Sequence, residues 1–329
     1  MSGSAVDSMG GFKDARDHRH EALTSRTYGR ALLAEAQANP NIVCLGADLS
    51  QPTETYLFRD ELPDRFFMMG IQEANMVGAA AGMARCGDIA FAHSFCVFIT
   101  RRVYDQVAMQ AAYPNLPVKL AGFIPGLTTP LGVSHQAIDD IALMRALPNM
   151  TVIEPSGPEQ VAAVVRAAVD HPGPVYLRMQ VAQARPDETT PLQPFSLGRG
   201  QVLSEGEDVA ILACGMMVEA AQVAAAELAG RGLSATVVNM ASLKPFDADL
   251  AVSLGRRHRI LVTAENHSVI GGLGSMTAEA LMLAGVSTRF GMVGVADVFA
   301  EGATTEYLVK HYGLTADHIV QKVLTLHAR

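Results

Sequence analysis

Nine residues, GIQEANMVG from Gly70 to Gly78, raise a chemical question. Between Arg65 and Arg85 the only ionisable side chain is Glu73, and its neighbours are small, apolar or amide. An acid in the first turn of a helix interacts favourably with the helix dipole and needs no chemistry. The alternative starts from Gly78, Ala79, Ala80, Ala81 and Gly82, a run that implies close backbone packing. Packing of that kind strips water from a carboxyl, and desolvation moves an acid toward the range used in proton exchange. Spacing alone leaves both readings open.

Other side chains have chemistry in reach. Phe95 and Phe98 in HSFCVFITRRVYDQ lie one helical turn apart. Core packing is the ordinary use of such a pair, and a flat wall against which a planar ring stacks is the functional one. His135 sits in the Gly/Pro/Thr-rich loop before IDDI, with no close apolar neighbours in sequence, which argues against a buried structural histidine. A loop histidine there suits proton transfer or hydroxyl binding. His93 shares its merits with weaker support. Arg26 and Arg178 are the arginines best placed to hold an anion, against the ordinary reading of surface salt bridges. The ENHSVIGGLGS stretch reads as a weak Gly-rich anion loop or a tight turn. GxGxxG after a first strand, a Walker A sequence and a GxSxG elbow are all missing from the sequence.

The elements that must position these groups alternate. RTYGRALLAEAQA leads into NIVCLG, EANMVGAAAGMAR into DIAFA, and RRVYDQVAMQAA into PVKLAGF. IDDIALMRAL then precedes MTVIEP, and PEQVAAVVRAAVD precedes PVYLRM. Helix periodicity alternating with short apolar runs predicts an α/β fold with a doubly wound, mostly parallel sheet. Ligands of such sheets bind beyond the carboxyl ends of the strands. Asp48, His93, His135, Glu154 and Arg178 all fall there, and Glu73 begins a helix near the same crest. A second, smaller α/β domain follows. The expected organisation is a disordered lead-in over 1–22, a first domain over 23–185, a linker over 186–200 and a second domain over 201–329.

Bulk properties agree. A length of 329 residues favours two domains, and 49% hydrophobic with 18% charged residues suits well-buried cores. A net charge of −8 argues against nonspecific binding to nucleic acid or anionic membranes. Cys44, Cys86, Cys96 and Cys214 form no CxxC pair, so no disulfide framework or zinc site is expected and a reducing cytoplasm fits best. The first 21 residues lack the apolar core of a signal peptide, and no apolar run reaches the ~18 residues of a membrane span.

DRFFMMGIQEANMVGAAAGMA, SFCVFITRRVYDQV, SHQAIDDIALMRALPNMTVIEP and GPVYLRM resemble the pyrimidine-binding domain of transketolases. KPFD, TAENHSVIGGLGS and YGL resemble the transketolase C-terminal domain, and together the motifs run in order from about Arg26 to Gly313. The resemblance implies thiamine diphosphate as cofactor. Glu73 then matches the glutamate that hydrogen-bonds N1′ of the aminopyrimidine and favours the imino tautomer that deprotonates the thiazolium. Phe95 and Phe98 match the aromatic wall of that ring, and Asp48 and Arg102 match cofactor-binding positions. His135, with a catalytic role as well, Arg26, His93 and Arg178 match substrate-contacting positions. The diphosphate domain of the family carries a GDG…N motif for Mg²⁺, and no such motif occurs in this sequence. The resemblance therefore implies the C-terminal subunit of a split transketolase. An N-terminal partner would hold the Mg²⁺ and diphosphate, in an α₂β₂ assembly acting on a ketone donor and an aldehyde acceptor.

Three departures touch the substrate loop. Ile124 stands where the family usually has a histidine, Thr129 to Gly132 replace an acidic run, and Pro52 replaces a serine. They imply a substrate less hydroxylated than a pentose phosphate, since a buried polar group left unpaired costs ~1–3 kcal/mol. The rival readings are the β subunit of a 2-oxoacid dehydrogenase E1 component and a non-catalytic scaffolding subunit.

Overall fold

The computed structural model describes residues 26–180 and 193–328. The expected lead-in over 1–22 and residues 186–192 of the expected linker lie outside them; the rest of that linker, 193–200, forms neither helix nor strand.

Six strands of the first half are β1 (Ile42–Gly46), β2 (Phe66–Met68), β3 (Ile89–Phe95), β4 (Val118–Phe123), β5 (Thr151–Ile153) and β6 (Val175–Met179). The second half contributes β7 (Gln201–Ser204), β8 (Val209–Ala213), β9 (Ala235–Asn239), β10 (Ser242–Lys244), β11 (Ile260–Ser268) and β12 (Arg289–Val295). One sheet runs β10-β5-β6-β4-β3-β1-β2 and the other β12-β11-β8-β9-β7. All pairings are parallel except β10 on β5 and β7 on β9. The protein is thus a mixed α/β structure built on two mostly parallel sheets, as the alternation predicts.

Strands covered on both faces read as unbroken apolar runs rather than alternating ones. β4, VKLAGF, is buried at every position, and so are β1 and β6. The covering helices show matching stripes. In the helix Pro158–Asp170 the residues Val161, Val164, Val165 and Ala168 face inward, spaced three and four apart, and proline occupies the first turn. β1 is flanked by β2 on one side and β3 on the other, so the chain reverses its winding there. A doubly wound sheet opens its ligand crevice at such a switch point.

Two details depart from the expected elements. β10 belongs by sequence to the second half, yet it pairs with β5 and closes the edge of the first sheet, with Ser242 opposite Ile153. RRVYDQVAMQAA is also no single α-helix. A short helix Cys96–Ile99 stops at Thr100 (φ −117°, ψ −80°), whose hydroxyl donates to the Cys96 carbonyl at 2.6 Å. A 3₁₀ turn over Arg101–Val103, a helical turn over Tyr104–Gln106 and a π-helical turn over Val107–Ala112 follow. π-helical turns are frequent at functional sites. The break carries Arg102 back above Phe98.

Candidate active site

The site is built where β3 ends and the helix Glu73–Arg85 begins. Gly70 takes φ +72°, a left-handed turn that glycine enters without strain, between β2 and the first turn of that helix. Glu73 is then the first helical residue and is only 2% exposed, because Met76, Val77 and Ala80 seat the helix in the core. The carboxyl is thus out of water and lies in the first turn of its helix, where the helix dipole acts on it.

Both Glu73 oxygens are held. The Ser94 hydroxyl, fully buried near the end of β3, donates to Oε1 at 3.1 Å, and Arg102 donates to Oε2 at 3.0 Å. The Arg102 guanidinium carbon lies 3.8 Å from the centre of the Phe98 ring. Phe98 in turn meets His135 edge-on at 5.1 Å between ring centres, and Phe95 lies 6.0 Å from each of them. Five residues from three segments thus form one continuous group: a carboxylate, a cation, two phenyl rings and an imidazole.

His135 is half-buried, and its Nδ1 lies 2.9 Å from the Ser134 hydroxyl. Partial burial lowers its pKa, and the Arg102 charge lowers it further. The imidazole is therefore neutral at neutral pH and able to accept a proton. The group combines an apolar aromatic wall, a buried carboxylate and a neutral base, a set with the chemistry to hold a flat ring and exchange a proton with it.

Two further expected residues, Asp48 and Arg26, lie in other segments. Asp48 follows β1, exposed, with φ +60°, and its backbone N–H points at the Met68 sulfur at 3.3 Å. Arg26 precedes the helix Thr27–Ala38 and donates from Nε to the Tyr56 hydroxyl at 3.2 Å.

Two expectations need correction. His93 is fully buried in β3, where it meets the Tyr28 hydroxyl at 2.7 Å and the Leu45 carbonyl at 3.0 Å. Burial pulls its pKa down to about 4. Side chains alternate along a strand, so His93 points into the core while Ser94 reaches Glu73. His93 is a packing residue, not a substrate contact.

Arg178 is not a phosphate anchor either. It is 0% exposed, and its fork is spent on the protein itself. Nε donates to Asp140 Oδ2 at 2.7 Å, Nη1 to Glu154 Oε1 at 2.6 Å, and Nη2 to the carbonyls of Ala137 (3.1 Å) and Asn266 (2.9 Å). The last of these bonds crosses to β11, so Arg178 ties the two sheets together. Its two acids respond in opposite directions. At Asp140 burial works upward, but Arg178, His267 and the Tyr176 hydroxyl outweigh it and the pKa falls. Glu154 has one guanidinium N–H and Asp140 as a neighbour, so burial prevails and its pKa rises.

The Gly-rich ENHSVIGGLGS loop does bind an anion at a helix N-terminus, but the anion is the protein's own. The Glu265 carboxylate accepts from Leu273 N at 2.7 Å and from Gly274 N at 2.8 Å. Burial nevertheless raises its pKa to about 7 against those two bonds.

Ser94 was given no role from sequence, although a polar residue two positions after DIAFA falls at a strand end, where ligands of parallel sheets bind. The partnership of Asp140 and Glu154 with Arg178 was also missed. Its signal was the clustering of charges at the ends of apolar strands that become neighbours.

Two mostly parallel sheets, with a helix-start carboxylate beside an aromatic wall, make a mixed α/β fold whose class the similar proteins supply. The transketolase pyrimidine-binding domain matches residues 20–186 and the transketolase C-terminal domain matches residues 198–319. The chain belongs to the transketolase family, which implies dependence on thiamine diphosphate. A 6-deoxy-6-sulfo-D-fructose transketolase subunit, SqwH, from Clostridium sp. strain MSTE9 is 44% identical over 90% of this chain and 91% of its own. One subunit of an apulose-4-phosphate transketolase from Actinobacillus succinogenes is 32% identical over 87% of this chain and 93% of its own. A solved split gene transketolase, an inactive beta4 tetramer, superposes with a TM-score of 0.84 at 45% identity, covering 93% of this chain and 98% of that one.

Proposed function

We propose that this chain is the pyrimidine-binding subunit of a two-component, thiamine diphosphate-dependent transketolase. It moves a two-carbon ketol unit from a ketone donor to an aldehyde acceptor. The observation that carries the reading is the buried Glu73 carboxylate at the edge of the Phe95/Phe98 wall. A carboxylate kept out of water beside two aromatic rings is what a cofactor ring nitrogen requires.

The donor set fits the aminopyrimidine half of the cofactor, whose thiazolium half would supply a nucleophilic carbon when bound. Glu73 would hold a proton at the ring nitrogen, Phe95 and Phe98 would fix the plane of the ring, and His135 would move a proton at the substrate. Asp48 and Arg26 are proposed to act at the rim of the cluster, near the cofactor and the substrate. The diphosphate and Mg²⁺ are assigned to an N-terminal partner subunit, because the two matched domains are the pyrimidine-binding and C-terminal ones and similar chains are named as subunits. Exposed Phe67, Met68 and Ile71, on the segment leading into Glu73, provide apolar surface for such a partner. An α₂β₂ complex in the cytoplasm, with the chain dividing around residues 186–200, completes the proposal.

The substrate loop bears on the donor. Ile124 adopts φ +54°, a region that β-branched residues rarely enter, and Thr129 is fully buried. An apolar residue fixed there supports a donor that presents fewer hydroxyls than a pentose phosphate. Similar chains are named for two different sugars, a sulfofructose and apulose 4-phosphate, which supports variation of the substrate on this scaffold.

The test is reconstitution with the partner subunit and a panel of ketose donors. Wild-type complex should transfer ketol units, with Glu73→Gln reducing kcat by at least a hundredfold, in line with typical proton-transfer contributions of about 10²–10⁴. Undiminished activity in Glu73→Gln refutes the reading, and release of CO₂ from a 2-oxo acid assigns the chain to the dehydrogenase instead.

A further inference from the structure

The guanidinium of Arg102 stands between the Phe98 ring and the Glu73 carboxylate. It is a flat cation that stacks on one and donates a hydrogen bond to the other. A protonated aminopyrimidine is also a flat cation, and to sit at this wall it would make the same two contacts. We propose that Arg102 competes with the cofactor ring for Glu73 Oε2 and for the face of Phe98, so that its side chain must swing out before the ring can seat. This rests on the assignment of the site given above and revises the expectation that Arg102 binds the cofactor.

The setting allows such a swing. The Arg102 side chain is 45% exposed, whereas its partner Glu73 is 2% exposed, so the cation enters from the solvent side and has water to return to. Neighbouring Arg101 holds Asp139 through two bonds of 2.9 and 2.7 Å, which fixes the turn from which Arg102 projects. The movement then falls on the side chain, with the backbone held. Ser94 retains Oε1 throughout and keeps the carboxylate oriented as Arg102 leaves. Arginine suits this role better than lysine because its fork is planar, stacks on aromatic faces and is weakly hydrated.

The experiment is calorimetric titration of thiamine diphosphate with Mg²⁺ into the complex of full-length subunits, with the association rate followed by stopped flow. Arg102→Met should tighten binding about tenfold, equivalent to about 1.4 kcal/mol, and speed association. Arg102→Lys, which keeps the charge but loses the planar stack, should fall between wild type and Arg102→Met. Binding that is unchanged or weaker in Arg102→Met, in a complex that assembles as wild type does, overturns the proposal and leaves the site assignment standing. A wild-type complex that binds no thiamine diphosphate, or a Glu73→Gln complex that binds it as wild type does, removes the site assignment and the proposal together.

Discussion

Replacing Arg178 separates two roles that the sequence cannot tell apart. Arg178→Met keeps most of the side-chain volume but leaves Asp140 and Glu154 buried without their cation. In the native protein the guanidinium donates to one oxygen of each acid and to two carbonyls, and without it Asp140 keeps the Tyr176 hydroxyl at 2.6 Å among the described residues. Removing one partner of a buried pair costs about 3–5 kcal/mol, because the remaining charge is left uncompensated in a medium of low polarity. At roughly 2 °C per kcal/mol for a chain of this size, Tm should fall by on the order of 10 °C. The loss should also depend on pH. Once Arg178 is gone, both acids favour their neutral forms in the folded state. The variant then binds more protons folded than unfolded, and its stability declines as pH rises. Differential scanning calorimetry of the full chain at pH 5, 7 and 8 should find the gap between wild type and variant widening with pH. The triple variant Arg178→Met, Asp140→Leu, Glu154→Met should recover much of the loss, since a buried triad replaced as a unit by apolar residues of similar volume is often neutral. A Tm within about 2 °C of wild type, with substrate KM raised instead, would refute the structural assignment and restore the anion-binding role.

Other outcomes follow from the same network. Glu265, raised to about 7 by burial, takes up a proton on folding, so its contribution is present at low pH and is lost as pH rises through 7, with a slope of at most about 1.4 kcal/mol per unit. His93, lowered to about 4, acts oppositely: it stabilises above pH 6.5, and that contribution is lost as pH falls toward 4. The two slopes oppose each other between pH 5 and 6.5. Relative to wild type, urea titrations across that window should show the stability profile tilted downward with rising pH in His93→Phe and upward in Glu265→Gln; profiles shifted alike in both variants would contradict the assignment. Gly126→Ala should destabilise by more than about 2 kcal/mol, since Gly126 has φ +57° and a Cβ there would meet the Asn266 carbonyl at 2.3 Å. Normal urea stability in that variant would mean the junction between the sheets relaxes freely.

Much of this protein was legible from local pattern. Apolar runs such as VKLAGF and stripes such as Val161, Val164, Val165 and Ala168 follow from the two-residue and 3.6-residue periods of strand and helix, which need no knowledge of tertiary structure. The isolation of Glu73 was visible for the same reason: a single acid in a helix of small residues has no solvent-facing stripe to join. Phe95, Phe98 and His135 could be marked as candidates because their spacing and loop context are local properties.

Pairing across the sheets was another matter. Strand order decides which strand ends are neighbours, and only that order brings Asp140, Glu154 and Asn266 around Arg178 and turns a presumed anion anchor into a buried cross-tie. His93 and Ser94 are adjacent in sequence and point to opposite faces, so which of them reached Glu73 depended on which face met the helix Glu73–Arg85. The break at Thr100 that sets Arg102 over Phe98 depended on packing that overrode helical periodicity, and β10 joined the far sheet through contacts distant in the chain. The sequence by itself determined the elements and the residue types within reach of chemistry, because periodicity and composition are short-range. Tertiary structure alone decided which charges meet, because electrostatic partnership depends on distance through space, and residues some forty to ninety apart in the chain come within 3 Å only when the sheets are assembled.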